Sequence, residues 1–256
     1  KPNEQKNLQI GDGAMLANLT GIDVVSNFRS NDINNGGQGA PLTPLYHQVL
    51  ATKLIKPVGI LNVGGVANIT YIGPEDQLIA FDTGPGNALI DDFIFLRLGK
   101  RKDTGGELAM SGKIDKKILE SLMNHPYFSL NFPKSLDRNY FDFTPTNNLS
   151  DEDGAATLTA FTAESIARSI NLLPKHPRLL LVSGGGRHNR ALLSELRNRI
   201  KINVETVEEV GWEGDAIEAQ AFAYLAARSL LDLPLSLPST TGVKFPMSGG
   251  TLFVAP

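Results

Sequence analysis

The chain of 256 residues contains no cysteine. That absence excludes disulfides, thiolate zinc sites, iron–sulfur clusters and a cysteine nucleophile. It fits a reducing compartment, and a cytoplasmic protein is the expectation. No apolar run approaches the ~20 residues of a membrane-spanning helix, so no membrane partner is expected. No charge of one sign dominates: 27 acidic and 24 basic side chains leave a net charge of −3 with histidine neutral. Nucleic-acid-binding domains usually carry a basic stripe, so no nucleic-acid partner is expected either. Four histidines are present, His47, His125, His176 and His188, and no two stand at metal-ligand spacing. No metal site is assigned to them; His47 is expected on a half-buried helix face. The chain opens at Lys1 without a basic stretch leading into an apolar one, so no signal peptide is expected.

What is present is unevenly placed. The 25 glycines gather in a few loops. Residues 1–7 are polar and expected to be loose, with a short strand at 8–10, a short helix at 14–19 ended by Gly21 and a strand at 22–25. A glycine-rich loop, Asn34 to Pro41, precedes a helix at 44–53. The β-prone runs 58–63 and 66–72 flank Gly64-Gly65. That pattern predicts a hairpin on a type I′ turn, which wants φ > 0 at both central residues. A third strand follows at 77–81. The period then becomes helical at 88–98, with Asn87 as the expected N-cap. Residues 99–150 read as an insertion with one helix at 113–124. After them come a helix at 155–173, a strand at 178–182, a helix at 189–199, a strand at 202–207 and a helix at 216–231. Three antiparallel strands followed by α/β crossovers predict an α/β, ribonuclease-H-like domain, the unit of actin-like ATPases and sugar kinases. Residues 54–256 are expected to form that complete domain, and residues 1–53 to be the end of another.

Two glycine loops can carry chemistry. In Asp82-Thr83-Gly84-Pro85-Gly86-Asn87 a carboxylate ends a strand and glycines lead into a helix. Helix-start N–H groups hold anions, and glycines let a phosphate approach. A carboxylate there can serve as a general base. A plain strand-to-helix turn with Asp82 bonded to loop N–H groups accounts for the same residues. No Lys-Ser/Thr follows, so this is not a Walker loop. Ser183-Gly184-Gly185-Gly186-Arg187-His188-Asn189 would let backbone pass close to a flat ligand, with Asn189 capping the next helix; it too can be a structural turn. Arg29, Asp32 and Gln38 suit recognition of sugar hydroxyls and carboxylate, or form a solvated loop. Asp91 and Asp92 point ~100° apart on a helix, so at most one faces a cleft. Both are read as helix-start charge.

Together the loops resemble the anhydro-N-acetylmuramic acid kinases, actin-like-fold sugar kinases of peptidoglycan recycling. The resemblance rests on Leu8-Gln9-Ile10-Gly11-Asp12, Phe28-Arg29 to Asp32, Gly36 to Leu42, and Leu61-Asn62-Val63-Gly64-Gly65-Val66-Ala67-Asn68. It continues through Phe81 to Asn87, Pro133-Lys134-Ser135, Ala156 to Ala160, Ser183 to Asn189, Asp215 to Ala219 and Leu237 to Gly242. The family's Gly-Thr-Ser-x-Asp-Gly phosphate loop is not found, so the chain taken alone is expected to be inactive. Asn27 and Asn31 stand where the family tends to show Asp and Arg, and Arg187 where Ala is usual. The resemblance implies an ATP- and Mg²⁺-dependent kinase that opens 1,6-anhydro-N-acetylmuramic acid with water and phosphorylates O6. It implies Asp82 as catalytic base and Arg29, Asp32, Gln38 and Glu218 at the sugar. Gly84, Gly86 and Asn87 would line the phosphates, and Gly184, Gly185, Gly186 and Asn189 the adenosine. A homodimer is left open. The alternatives are another actin-like amino-sugar kinase or a non-catalytic nucleotide-binding fragment.

Overall fold

The computed structural model describes residues 9–256. The expectations for residues 1–7 and for Leu8 lie outside the described residues; Gln9 and Ile10 have no regular structure. Asp12 caps α1 (Gly13–Thr20) by accepting the Met15 N–H, and Gly21 ends it at φ 67°. A C-terminal residue in that left-handed conformation favours glycine. β1 (Val24–Ser26), α2 (Ser30–Asn34) and α3 (Pro44–Leu50) follow. Then comes a meander of β2 (Val58–Val63), β3 (Val66–Ile72) and β4 (Leu78–Pro85).

The helical half begins with α4 (Ala88–Leu98), α5 (Glu107–Ser111) and α6 (Lys116–Met123). The long α7 (Asp151–Ile170) comes next, capped by the Ser150 hydroxyl on the Asp153 N–H. Its first turn carries Asp151, Glu152 and Asp153, acids that favour a helix N-terminus. The chain finishes with β5 (Leu179–Ser183), α8 (Arg190–Arg199), β6 (Asn203–Thr206), α9 (Ile217–Leu230), α10 (Pro238–Thr241) and β7 (Thr251–Phe253).

The main sheet has the order β4-β3-β2-β5-β6. β3 runs antiparallel to β2 and β4, and β5 is parallel to β2 and β6. This is the ribonuclease-H-like α/β topology that the strand count and crossovers predict. Alternation along each strand fills both faces. Leu61, Val63, Ile69, Phe81, Leu180 and Val182 share one core with Ile166 of α7 and Leu192 of α8. Val58, Ile60, Ile72 and Leu181 share another with Leu45 of α3 and Ile217 of α9. β1 pairs antiparallel with β7, joining the first described segment to the tail. Among the described residues no helix is long and apolar enough to cross a membrane.

Three local expectations are corrected. The hairpin exists, but Val63 pairs with Ala67. Three residues, Gly64, Gly65 and Val66, therefore lie between the last residues that β2 and β3 pair, and neither Gly64 nor Gly65 has positive φ. A two-residue type I′ turn would need a different register. Second, β4 continues through Pro85, because Gly84 pairs with Ala67 and Pro85 with Val66. Third, His47 is 2% exposed rather than half-buried; its Nδ1 lies 2.8 Å from the Thr70 hydroxyl, and burial lowers its pKa to about 4.

Candidate functional site

β4 carries Asp82 where its ladder slips. Ala67 pairs with Gly84 and Asn68 with Asp82, which leaves Thr83 as an extra residue. A bulge of this kind re-aims the side chains beside it. Asp82 is 6% exposed. Its Oδ2 accepts the Leu136 N–H at 2.7 Å. Its own N–H donates to the Lys134 carbonyl at 3.0 Å, and its carbonyl accepts the Tyr127 hydroxyl at 2.5 Å. Burial raises the Asp82 carboxyl to about 7, opposed by the Leu136 N–H and the Arg29 charge, which favour the ionised form. Burial and then the Asp82 charge push the Tyr127 phenol upward, so it stays a donor.

Arg29, just before α2, donates to the Gly39 carbonyl at 2.6 Å. Burial lowers its pKa, while Glu218, Asp82 and Asp32 raise it. Four residues named from the sequence thus share one charged neighbourhood. They differ in how free they are. Asp32 is 2% exposed, and both of its oxygens are committed. Oδ1 accepts the Gly39 N–H at 2.7 Å; Oδ2 accepts the Ser236 hydroxyl at 2.5 Å and the Thr241 hydroxyl at 2.6 Å. Asp32 therefore builds the glycine-rich loop and offers no idle oxygen to a sugar. Gln38 donates its N–H to the Thr241 carbonyl at 2.8 Å, and its Oε1 accepts the Ser135 hydroxyl at 2.7 Å. Glu218 is exposed in the first turn of α9.

The two glycine turns meet at Asn87 and Gly185. Most of their glycines are explained by protein packing. A Cβ on Gly84 would overlap the Ser165 side chain of α7, and one on Gly86 the Gly64 carbonyl. On Gly184, which has φ 71°, it would overlap the Asn62 side chain, and on Gly186 the Val63 side chain. Gly185 differs: the nearest atom to its Cβ would be Asn87 Nδ2, at 3.7 Å. Asn87 and Gly185 line a cavity of about 150 Å³ with Asp91, Lys102, Asp103 and His188. The Asn189 side chain caps α8 by accepting the Leu192 N–H at 3.0 Å. Asn87 does not cap α4; its amide donates to the Val63 carbonyl at 3.0 Å.

The family model described as anhydro-N-acetylmuramic acid kinase matches residues 1–255. The chain belongs to that family. A relative of that name from Rhodospirillum rubrum is 52% identical over 256 residues, covering 100% of this chain and 68% of the relative. One from Rhodopseudomonas palustris is 52% identical over 255 residues, covering 98% and 70%. One from Zymomonas mobilis is 49% identical over 245 residues, covering 95% and 67%. Among solved structures, a ligand-bound xylulose kinase from Lactobacillus acidophilus aligns with a TM-score of 0.43 at 14% identity, over 82% of this chain and 46% of its own. The activator of a 2-hydroxyisocaproyl-CoA dehydratase from Clostridium difficile, with bound ADPNP, aligns with a TM-score of 0.42 at 12% identity, over 72% and 66%.

Three further residues of this kinase-family chain stand at the site without a role from its sequence. Asp91 faces the cavity, while Asp92 pairs with Arg138 at 2.8 Å. Burial, then the Asp92 charge, raises Asp91 to about 6. Arg187 is 7% exposed and binds Glu208 at 2.7 Å, Asp215 at 2.6 Å and the Gly184 carbonyl at 2.9 Å. It ties the second glycine turn to the segment leading into α9. Lys134, in a motif of the resemblance, is 6% exposed beside Asp82.

Proposed function

We propose that this kinase-family chain belongs to an enzyme that opens 1,6-anhydro-N-acetylmuramic acid with water while transferring the ATP γ-phosphate to O6. The observation that carries the reading is the buried Asp82 carboxyl beside the Arg29 guanidinium, with a pKa near neutrality. A general base works best when its pKa lies near the operating pH. Asp82 takes one proton from water, and the remaining hydroxide oxygen bonds to C1. The C1–O6 bond breaks, its electrons stay on O6, and O6 bonds to the γ-phosphorus as ADP leaves. The proton on Asp82 then passes to solvent.

Arg29 is the cation for the sugar's lactyl carboxylate, Gln38 and Glu218 meet its polar groups, and Asp32 holds the loop that presents them. Asn87 and Gly185 face the nucleotide; Gly84, Gly86, Gly184, Gly186 and Asn189 fix the walls around them. The open Cα face of Gly185 beside the Asn87 amide fits a flat or phosphate-bearing ligand. Among the described residues no group of three His, Cys, Asp or Glu side chains could hold a metal ion. In this reading Mg²⁺ enters on the ATP phosphates, where it neutralises charge during transfer.

The test is Asp82→Asn in the full-length protein. Turnover is expected to fall by ~10²–10⁴-fold, with the product assayed as the opened, phosphorylated sugar. The same variant is expected to be more stable than the wild type at pH 8–9. A carboxyl raised above its unfolded value stabilises fully below the unfolded pKa, and that contribution is lost as pH rises through about 7. Denaturation across pH 5–9 reads this difference. Near-normal turnover in the folded variant refutes the role of Asp82. Phosphorylation of simple amino sugars without opening of the anhydro bridge would transfer the protein to another sugar-kinase activity.

A further inference from the structure

Asp82 is gripped from a segment 50 residues away that the sequence places in an irregular insertion. Phe132 stacks on Phe81 with ring centroids 5.3 Å apart and planes at 14°. The Lys134 carbonyl accepts the Asp82 N–H, the Ser135 hydroxyl donates to Gln38, and the Leu136 N–H binds the Asp82 carboxylate. Successive residues thus reach the candidate base and a candidate sugar contact. The Lys134 ammonium fixes this stretch from beneath. It donates to the Tyr127 carbonyl at 3.2 Å and lies 4.5 Å from the Tyr127 ring centroid and 5.7 Å from that of Phe81. Tyr127 in turn donates its hydroxyl to the Asp82 carbonyl. Among the described residues Lys134 has no ion-pair partner, although it is almost fully buried.

We propose that residues 132–136 form a strap that positions Asp82, with Lys134 as its anchoring positioning residue and Ser135 as its link to the sugar-side loop. A buried cation without a carboxylate is costly, and here the Tyr127 carbonyl and the Tyr127 and Phe81 rings offset part of that cost. Burial lowers Lys134 to about 8, so it remains mostly charged at neutral pH. Two groups favour the Asp82 carboxylate against burial, the Leu136 N–H of the strap and the Arg29 charge before α2; Tyr127, from the insertion, bonds the Asp82 carbonyl, and the Lys134 ammonium is the cation that the strap itself carries. Glu218 and Asp32 in turn favour the charged form of Arg29.

The effect on turnover rests on the proposed role of Asp82; the effect on the carboxyl itself does not. Lys134→Met removes a positive charge and loosens the Leu136 N–H. Both changes disfavour the carboxylate, so the pKa of Asp82 moves up. The full-length protein is labelled with ¹³C at the aspartate carboxyls, and the Asp82 signal is assigned by its loss in Asp82→Asn. We expect its titration midpoint to rise by about one unit in Lys134→Met, and the acid limb of kcat/KM to rise with it. Lys134→Arg keeps the charge and is expected to leave the midpoint close to the wild-type value. Ser135→Ala cuts only the link to Gln38 and is expected to raise the sugar KM about threefold with the midpoint unmoved. Should Lys134→Met not fold, Lys134→Gln takes its place with the same expectation. A folded variant whose Asp82 midpoint stays at the wild-type value overturns the strap. A midpoint that moves while the acid limb stays put leaves the strap standing and overturns Asp82 as base.

Discussion

The turn after β4 and the turn after β5 look alike in sequence, each a polar residue and several glycines leading into a helix. They are built for different neighbours. At the end of β4, both glycines press against protein: Gly84, the last but one residue of the strand, against α7 and Gly86 against the β2–β3 hairpin end. The Gly64 and Gly65 carbonyls accept the N–H groups of Asn87, Gly86 and Ala88 there. After β5, Gly184 and Gly186 press against β2, but Gly185 opens onto the cavity. A glycine run thus marks close approach without saying what approaches. In the first turn it is a side chain of α7 at Gly84 and hairpin backbone at Gly86, and the candidate chemistry belongs to Asp82. In the second, one glycine in three is left open onto a cavity.

The largest effect expected from this contrast is on stability. Gly86→Ala would drive a methyl into the Gly64 carbonyl and the Val66 backbone. Backbone on both sides cannot swing away as a side chain can. Gly86 does not have positive φ, so packing alone is tested. Overpacking of this kind costs ~1–3 kcal/mol and occasionally more, and we expect the upper end by urea denaturation. A loss below about 0.5 kcal/mol would break the distinction between the turns.

A smaller effect, on binding instead of folding, is expected from Gly185→Val. The branched side chain would enter the cavity beside Asn87, where nothing stands closer than 3.7 Å to the first added atom. Affinity for ATP is expected to fall about tenfold, or ~1.4 kcal/mol, with sugar affinity and melting temperature little changed. Calorimetric titration with each ligand decides it; equal loss for both ligands would mean a folding defect.

These contrasts explain which features could be read from sequence. Strands β2 and β3 and helix α4 show in their periodicity, because each is specified by neighbours along the chain. The cap on α8 is equally local, Asn189 standing three residues before Leu192. What escapes is long-range. Ser236 and Thr241 bind Asp32 from more than 200 residues away, so a loop acid that looks free is fully engaged. Leu136 reaches Asp82 across 54 residues, which no pattern within the insertion reveals. Arg187 stands out only as a departure from the family, and its three partners come from the fold.

The smallest expected effect separates the two asparagines that open the helices after these turns. Asn189 acts as an acceptor: its Oδ1 takes the Leu192 N–H at the start of α8. Asn189→Asp would keep that oxygen and add a negative charge at a helix N-terminus, which is favourable by a few tenths to ~1 kcal/mol. Asn87 acts as a donor, giving its amide to the Val63 carbonyl. Asn87→Asp replaces that donor with an oxygen facing an oxygen and takes a hydrogen bond from the carbonyl of the buried Val63, a loss of ~1–3 kcal/mol. The helix-start position of residue 87 offsets part of this, so the net loss should lie near ~1 kcal/mol. We therefore expect Asn189→Asp to hold or gain stability and Asn87→Asp to lose it, measured by denaturation at about pH 7.5, where the new carboxylates are charged. Asn189→Ala, which removes the cap, should cost ~1 kcal/mol and confirm that the acceptor matters at that position. Equal responses to aspartate at the two positions would mean that both asparagines play the same part, and the contrast between the turns would rest on Gly185 alone.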